Sequence, residues 1–178
     1  MEGSSDISGL AKKKLIAQLK YERTLRVKKY LVQTGEEIKM YLGLILPSLY
    51  SYIRVKEILF EYTPAMVHTQ GELVLDVTDS RLHNYRSIIA RVKLPINKPC
   101  VFVMSDLPPQ SLSTKPKIRI SISVNSSDIR HNEECGFLKY SPSFGVSRAP
   151  IPASPIVITP VSQAINIVKE NGVEFKIN

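Results

Sequence analysis

The sequence lacks tryptophan, has two cysteines and contains no long apolar run, and each shortage narrows the class of protein. Cys100 and Cys135 are too few for the disulfide framework of a small secreted domain, so we expect reduced thiols inside a cell. The longest apolar run, residues 42–46, ends at Pro47 and is far shorter than the ~20 residues of a membrane-spanning helix. The sequence therefore predicts neither a signal peptide nor a transmembrane helix.

Motifs for catalysis and for metal binding are also absent from the sequence. Its eight glycines are scattered, with no glycine-rich phosphate loop, and no nucleophile motif of the GxSxG type occurs. Asp76 and Asp79 have opposite strand parity, so they would lie on opposite faces and could not share acid–base work. His131 and Cys135 are four residues apart, but a structural zinc ion needs four ligands, which favours a solvated acidic loop. We therefore predict no enzyme, no metal and no cofactor.

Positive charge is concentrated near the N-terminus of a chain whose net charge is +8. Residues 12–29 hold a single acid, Glu22, and a net charge of +7. The cations of this stretch are Lys12, Lys13, Lys14, Lys20, Arg23, Arg26, Lys28 and Lys29. Apolar residues at four-residue steps predict an amphipathic helix over about residues 10–32. Such a basic face is either simply solvated or contacts phosphates or anionic lipid, and its lopsided charge favours contact.

The stretch from Gly71 to Leu82 alternates between apolar and polar residues, which is typical of a half-buried strand. The face that carries its apolar residues ends in Asp79 and then Arg81. A carboxylate on a buried face is costly unless it is paired, and Arg81 points the same way. Asp79 and Arg81 therefore form either a strand-end salt bridge or part of a family signature.

The remaining patterns predict a mainly β protein, an antiparallel jelly-roll-like sandwich of about seven strands with a basic N-terminal helical arm. Residues 53–62, 87–94, 100–104, 117–124, 136–140, 156–159 and 173–177 read as strands. The parity slip at residues 56–57 indicates either a β-bulge or two short strands. A second short helix is expected at residues 36–46. Residues 161–168 read as a C-terminal helix, with a hairpin through residues 171–172 as the alternative. The expected division is an arm at 1–47 and a core at 48–178.

A second basic surface is expected on the sheet. Arg91, Lys93, Lys117 and Arg119 point outward from two strands, and they would form one patch if those strands were neighbours. A basic sheet face suits the backbone of a single-stranded nucleic acid. The alternative is that these are ordinary solvent-facing charges.

The order of these features resembles the core of the thirty-kilodalton superfamily of plant-virus movement proteins, over about residues 53–159. The resemblance is carried by the first strand from Ile53 to Tyr62, by Gly71 with Asp79-x-Arg81, and by Ala149-Pro150 before a late apolar strand. It implies a jelly-roll-like core that binds single-stranded RNA or DNA without sequence preference and self-associates. It also implies transport of a viral genome between plant cells, with location in the host cytoplasm, at the membrane periphery and at plasmodesmata. Asp79 would then be structural.

Two alternatives stay open on the same residues. A small basic matrix protein of a plant negative-strand RNA virus would condense nucleocapsids, bind a viral nucleoprotein and contact membranes. A generic nucleic-acid-binding or capsid-like jelly-roll protein is the third reading.

Overall fold

The computed structural model describes residues 22–29, 36–38, 51–82, 87–114, 117–161, 165–169 and 173–177, and these residues form strands and loops without a helix. The strands in chain order are β1 (Arg23–Lys28), β2 (Glu36–Ile38), β3 (Tyr52–Pro64), β4 (Glu72–Asp79), β5 (Ile88–Pro95), β6 (Cys100–Ser105), β7 (Gln110–Ser111), β8 (Ile118–Asn125), β9 (Glu134–Ser147), β10 (Val157–Pro160), β11 (Ile165–Lys169) and β12 (Val173–Ile177).

The strands form two six-stranded sheets. Sheet A has the order β1-β9-β3-β6-β10, with β7 also paired to β3, and sheet B has the order β11-β12-β5-β4-β8-β2. Neighbouring strands are antiparallel, apart from the parallel pair of β12 and β5. The confirmed architecture is therefore an antiparallel β fold, with more strands than the sequence predicted.

A single core lies between the sheets because strands such as β4, β5 and β6 bury every second residue. In β4 the buried residues are Leu73, Leu75 and Val77, while Phe60 of β3 stacks on Phe102 of β6 with ring centroids 4.9 Å apart. This alternation leaves the polar residues of each strand on the two outer faces. Any binding surface must therefore lie on an outer face, at a sheet edge or in a loop.

The predicted β-bulge in the first strand is confirmed. The pairing of β3 with β9 changes register between Val55 and Glu57, so Lys56 is the extra residue. Its side chain lies over Gly145 of β9, where a Cβ atom would come within 2.7 Å of the Lys56 Cε. The bulge explains why the apolar parity of the sequence slips at this point.

Three predicted helices are wrong where the structure describes them. Residues 23–28 of the first are strand β1, residues 36–38 of the second are strand β2, and residues 165–168 of the third belong to strand β11. β11 pairs with β12 in an antiparallel hairpin, so the alternative prediction for the C-terminus is confirmed. Pairing with the distant strands β9 and β8 outweighed local helical spacing in β1 and β2, and pairing within the hairpin outweighed it in β11. The rest of the expected arm, including Lys12, Lys13, Lys14 and Lys20, lies outside the described residues.

Candidate nucleic-acid interface

Strand β1 supplies a cationic edge to sheet A. It pairs on one side with β9, from Arg23 opposite Tyr140 to Lys28 opposite Glu134, and no other described strand pairs with its second side. Leu25 and Val27 pack towards the core, whereas Arg23 and Arg26 are exposed and Lys28 is half-buried. Since β1 contains no acid, its polar surface carries only positive charge.

Lys29 serves a different purpose from the other cations of this segment. Its ammonium donates hydrogen bonds to the backbone carbonyls of Ser126 and Ile129, the latter at 2.8 Å. Its backbone is also held, since the Lys29 amide donates to Glu133 and its carbonyl accepts from Asn132 at 2.7 Å. Lys29 therefore fastens the end of β1 to the loop that precedes β9.

Next to β1, the outer face of sheet A presents an aromatic ring that the sequence did not indicate as functional. Phe137 of β9 is 37% exposed and stands directly opposite Arg26 in the strand register. Directly opposite residues in antiparallel strands have Cβ atoms ~4.5–5.5 Å apart. Phe137 was missed because only the register, which a sequence does not reveal, places it beside a cation.

The next outward residue of β9 is neutralised by acids. The Lys139 ammonium lies 3.2 Å from the Glu22 carboxylate and 3.3 Å from the Glu61 carboxylate. The hydrogen bonds that the Lys139 ammonium donates to Glu22 and Glu61, together with the negative charges of these carboxylates, raise the pKa of Lys139. An anion approaching this face therefore meets less competition from acids at Arg26 of β1 than at Lys139.

The second expected basic patch is divided by an acidic strand. β4 lies between β5 and β8, so the strands that carry Arg91 and Arg119 are not neighbours. Asp76 of β4 accepts two hydrogen bonds from the Arg91 guanidinium, at 2.6 and 2.9 Å. Lys93 and Glu72 lie with this pair around a concavity of about 410 Å³. The outer face of sheet B therefore has mixed charge.

The other two cations of that expected patch lie on β8 or just before it. Arg119 is exposed and opposite Thr78 of β4, and the half-buried Lys117 precedes the strand. The backbone amide of Lys117 donates to the Gln110 side chain at 2.6 Å. The structure thus brings Arg91 and Lys93 together and leaves Lys117 and Arg119 on the far side of β4.

The salt bridge expected at the end of β4 is present. Asp79 is 5% exposed and accepts three hydrogen bonds from the Arg81 guanidinium at 2.7–3.1 Å and one from the Arg81 amide at 3.0 Å. Burial raises the pKa of Asp79, but the hydrogen bonds and charge of Arg81 outweigh burial and hold that pKa below its ordinary value. The pair therefore has an architectural role.

This salt bridge also connects the two sheets. Arg81 donates a further hydrogen bond at 2.9 Å to the carbonyl of Pro109, in the loop that enters β7 of sheet A. The next residue, the buried Gln110, accepts from the amides of Lys117 and Ile118 at the start of β8 in sheet B. Gln110 was missed by the sequence reasoning because a lone glutamine in a polar loop gives no signal of burial.

Gly71 lies where the chain enters β4, in close contact with another loop. Its φ is +140°, and a Cβ atom there would lie 2.5 Å from the carbonyl oxygen of Asn125 and 2.6 Å from Ser126. A residue with a side chain is therefore excluded by conformation and by space. Gly71, like Asp79 and Arg81, is explained by the fold.

No residue grouping among those described fits a metal or a reactive thiol. The described part of the chain holds no cluster of three or more histidine, cysteine, aspartate or glutamate side chains suited to a metal ion. Both cysteines are buried and free, and burial raises the pKa of Cys100 to about 12. Burial is also the largest cause of the raised pKa of Cys135. Within the described ranges no helix has the length and apolar character needed to cross a membrane.

Comparison with known proteins gave matches among solved structures alone. No family model and no curated protein matches the chain. The semi-empty virus-like particle of giant freshwater prawn Macrobrachium rosenbergii nodavirus has 14% identity and a TM-score of 0.46, covering 76% of this chain and 95% of that chain. Mud crab tombus-like virus has 12% identity and a TM-score of 0.42, covering 76% and 84%. Mud crab dicistrovirus has 15% identity and a TM-score of 0.40, covering 79% and 77%.

These comparisons correct the family prediction. The structures reported above come from animal viruses and are not plant movement proteins, so the predicted membership and transport function are wrong. The predicted plasmodesmal location has no support. The matrix-protein alternative is not supported either.

Proposed function

We propose that this chain is a non-catalytic structural protein. It binds the phosphate backbone of nucleic acid along β1, and it self-associates through the outer face of sheet A at the β10 end of that sheet. The observation that carries the first part is the edge strand β1, where Arg23, Arg26 and Lys28 stand without an acid in the strand. Phosphate contacts from such cations supply sequence-independent affinity. Lys12, Lys13, Lys14 and Lys20 precede β1 in the chain and extend the same charge.

The charge balance favours β1 over the outer face of sheet B. On sheet B the Arg91 guanidinium is engaged in a bidentate pair with Asp76, and Glu72 lies beside Lys93. A phosphate would have to compete with a carboxylate already at 2.6 Å. The Arg26 side chain makes no hydrogen bond or ion pair with any described residue, so a phosphate meets no such competitor there.

A salt titration of binding tests this proposal. Affinity for a single-stranded RNA or DNA of ~20 nucleotides is measured by filter binding between 50 and 300 mM NaCl. The double variant Arg26→Gln/Lys28→Gln is expected to reduce the slope of log K against log salt by about 1.4, since each phosphate contact on a single strand contributes ~0.7. Arg119→Gln, on the outer face of sheet B, is the matched control and should leave the slope unchanged. Binding without salt dependence, or a larger effect of Arg119→Gln, would contradict the proposal.

Self-association is proposed because apolar residues collect at the β10 side of the outer face of sheet A. Val157 is 47% exposed and Val161 is 64% exposed. The half-buried Val101, Val103 and Leu59 lie on the same face, with Leu59 opposite Val103 in the register. An apolar cluster on a sheet face is typical of a protein–protein contact. The exposed Lys56 and Glu57 lie on its rim with opposite charges, which lets two copies of the face pair about a two-fold axis.

Edge-to-edge pairing of two copies through β10 is less favourable than pairing through the apolar part of the outer face of sheet A. β10 has four residues and ends in Pro160, which has no amide hydrogen to extend a sheet. Sedimentation velocity tests the face: Val157→Ser/Val161→Ser should weaken self-association at least tenfold. Val67→Ser removes a loop valine that is as exposed as Val161, and it should leave self-association unchanged. A chain that stays monomeric at high micromolar concentration would refute this part.

A further inference from the structure

The surroundings of Phe137 indicate a role beyond binding of the nucleic-acid backbone. Among the large apolar side chains that are exposed in the described part of the chain, Phe137 is the aromatic one, the others being valine or leucine. No described side chain makes a ring contact with it, and 37% of its surface is exposed to solvent. An exposed phenyl ring offers apolar area and a π face to a binding partner.

The residues around Phe137 form a small platform with a cation on one side. Arg26 of β1 is opposite Phe137, and Thr63 of β3 is opposite it on the other flank. Both are exposed, and the threonine side chain is short enough to leave the ring accessible. The platform is therefore about three strands wide, with its positive charge on the β1 side.

The charges near Phe137 define the path that a bound polynucleotide would follow. Lys139 follows Phe137 on β9 but is held by Glu22 and Glu61, so the side of the platform towards Lys139 is not attractive to phosphate. Arg26 and Lys28 lie on the open edge. A polynucleotide that follows the edge would keep its phosphates on β1 and turn its bases inward over the ring. An unstacked base has an aromatic face that pairs with a phenyl ring regardless of sequence.

We infer that Phe137 is a stacking platform for an unpaired base, and that it makes the β1 edge selective for single-stranded over double-stranded nucleic acid. This inference rests on the backbone binding proposed above. In a duplex the base faces are covered by their neighbours, so Phe137 has nothing to stack on. Base–aromatic stacking is worth ~1–3 kcal/mol per base, which corresponds to about 5- to 150-fold in affinity.

Fluorescence anisotropy with three labelled probes of equal length tests the inference: a 20-nucleotide oligo-dT strand, an abasic strand with the same phosphates, and a 20-base-pair duplex. The wild-type protein is expected to bind oligo-dT about tenfold or more tightly than the abasic strand. Phe137→Leu keeps an apolar side chain and should lower affinity for oligo-dT about tenfold without changing affinity for the abasic strand. Phe137→Tyr keeps the ring and should retain wild-type affinity. Val67→Ser is the control for loss of an exposed apolar group.

The outcomes separate the inference from the proposed function. Equal, salt-dependent binding of oligo-dT and the abasic strand, unaffected by Phe137→Leu, would overturn stacking and leave backbone binding intact. Tighter binding of the duplex than of oligo-dT would also overturn stacking. Absence of binding to all three probes at 50 mM NaCl would overturn both.

Discussion

The pair of Asp79 and Arg81 allows a sharp test because it joins a buried acid to a partly exposed base. The Asp79 carboxylate is buried and accepts four hydrogen bonds, three of them from the guanidinium. The Arg81 side chain is 42% exposed. Removing the acid by Asp79→Ala leaves a guanidinium that water can partly rehydrate. Removing the base by Arg81→Gln leaves a buried carboxylate with its backbone donor and little else.

The size of the expected stability loss follows from the difference in burial between Asp79 and Arg81. Breaking a fully buried pair costs about 3–5 kcal/mol, and rehydration of an exposed partner reduces this figure. We expect Asp79→Ala to lower the free energy of unfolding by about 2–3 kcal/mol. For a chain of this length the corresponding fall in melting temperature is about 5–10 °C, measurable by calorimetry. Glu57→Gln, which removes an exposed carboxylate of β3, is the matched control and should change the melting temperature by less than ~1 °C.

The dependence on pH gives an independent check. Because the pKa of Asp79 is lower in the folded state, its stabilisation is complete above the unfolded value of ~3.9 and is lost as pH falls through the folded value. The difference in stability between wild type and Asp79→Asn should therefore narrow below pH ~4. The difference between wild type and Arg81→Gln should narrow in the same pH range, because protonation also relieves the buried carboxylate that this variant leaves without its guanidinium partner. An unchanged melting temperature in Asp79→Ala would show that the carboxylate is solvated and unpaired.

Three further predictions concern the turn, the thiols and the fastening of β1. Gly71→Ala should lower the free energy of unfolding by about 1–3 kcal/mol, since its Cβ would lie 2.5 Å from a backbone carbonyl oxygen at φ +140°. Gly145→Ala is the control, because its Cβ meets a flexible lysine side chain. A denaturant titration should show a smaller loss of stability for Gly145→Ala. Because Cys100 and Cys135 are buried with raised pKa values, a thiol reagent at pH 8 should label neither in the native protein and both in guanidinium; native labelling would contradict their burial. Lys29→Met should speed amide hydrogen exchange in β1 and leave exchange in sheet B unchanged. Equal exchange rates of β1 in wild type and variant would mean that the hydrogen bonds of the Lys29 ammonium do not stabilise β1.

Much of the central fold could be predicted because strand periodicity is local. The alternation in Leu73, Leu75 and Val77 is read directly from neighbouring residues, and so is the parity slip at Lys56 that marks the bulge. The pairing of Asp79 with Arg81 was equally accessible, since two residues on the same strand face meet without knowledge of the fold. These features depend on spacing along one strand.

Features that depend on strand order were not accessible. Residues 23–28 carry apolar residues at Leu25 and Val27, a spacing that fits a strand, but the helical steps around them were equally regular. Pairing with β9, more than a hundred residues later, decided between the two. The division of the sheet B cations by β4 and the meeting of Arg26 with Phe137 are both consequences of strand order and register, which no local pattern encodes.

The long separation between β1 and its partner has a consequence for how the chain is made. During synthesis β1 leaves the ribosome before β9 exists, and the carbonyl groups that hold Lys29 lie 97 and 100 residues further along the chain. Contacts of such separation form late because their loop-closure entropy must be offset by the rest of the fold. A nascent chain therefore presents its cationic segment to nearby polyanions, the ribosome included, before the two sheets close over its remaining strands.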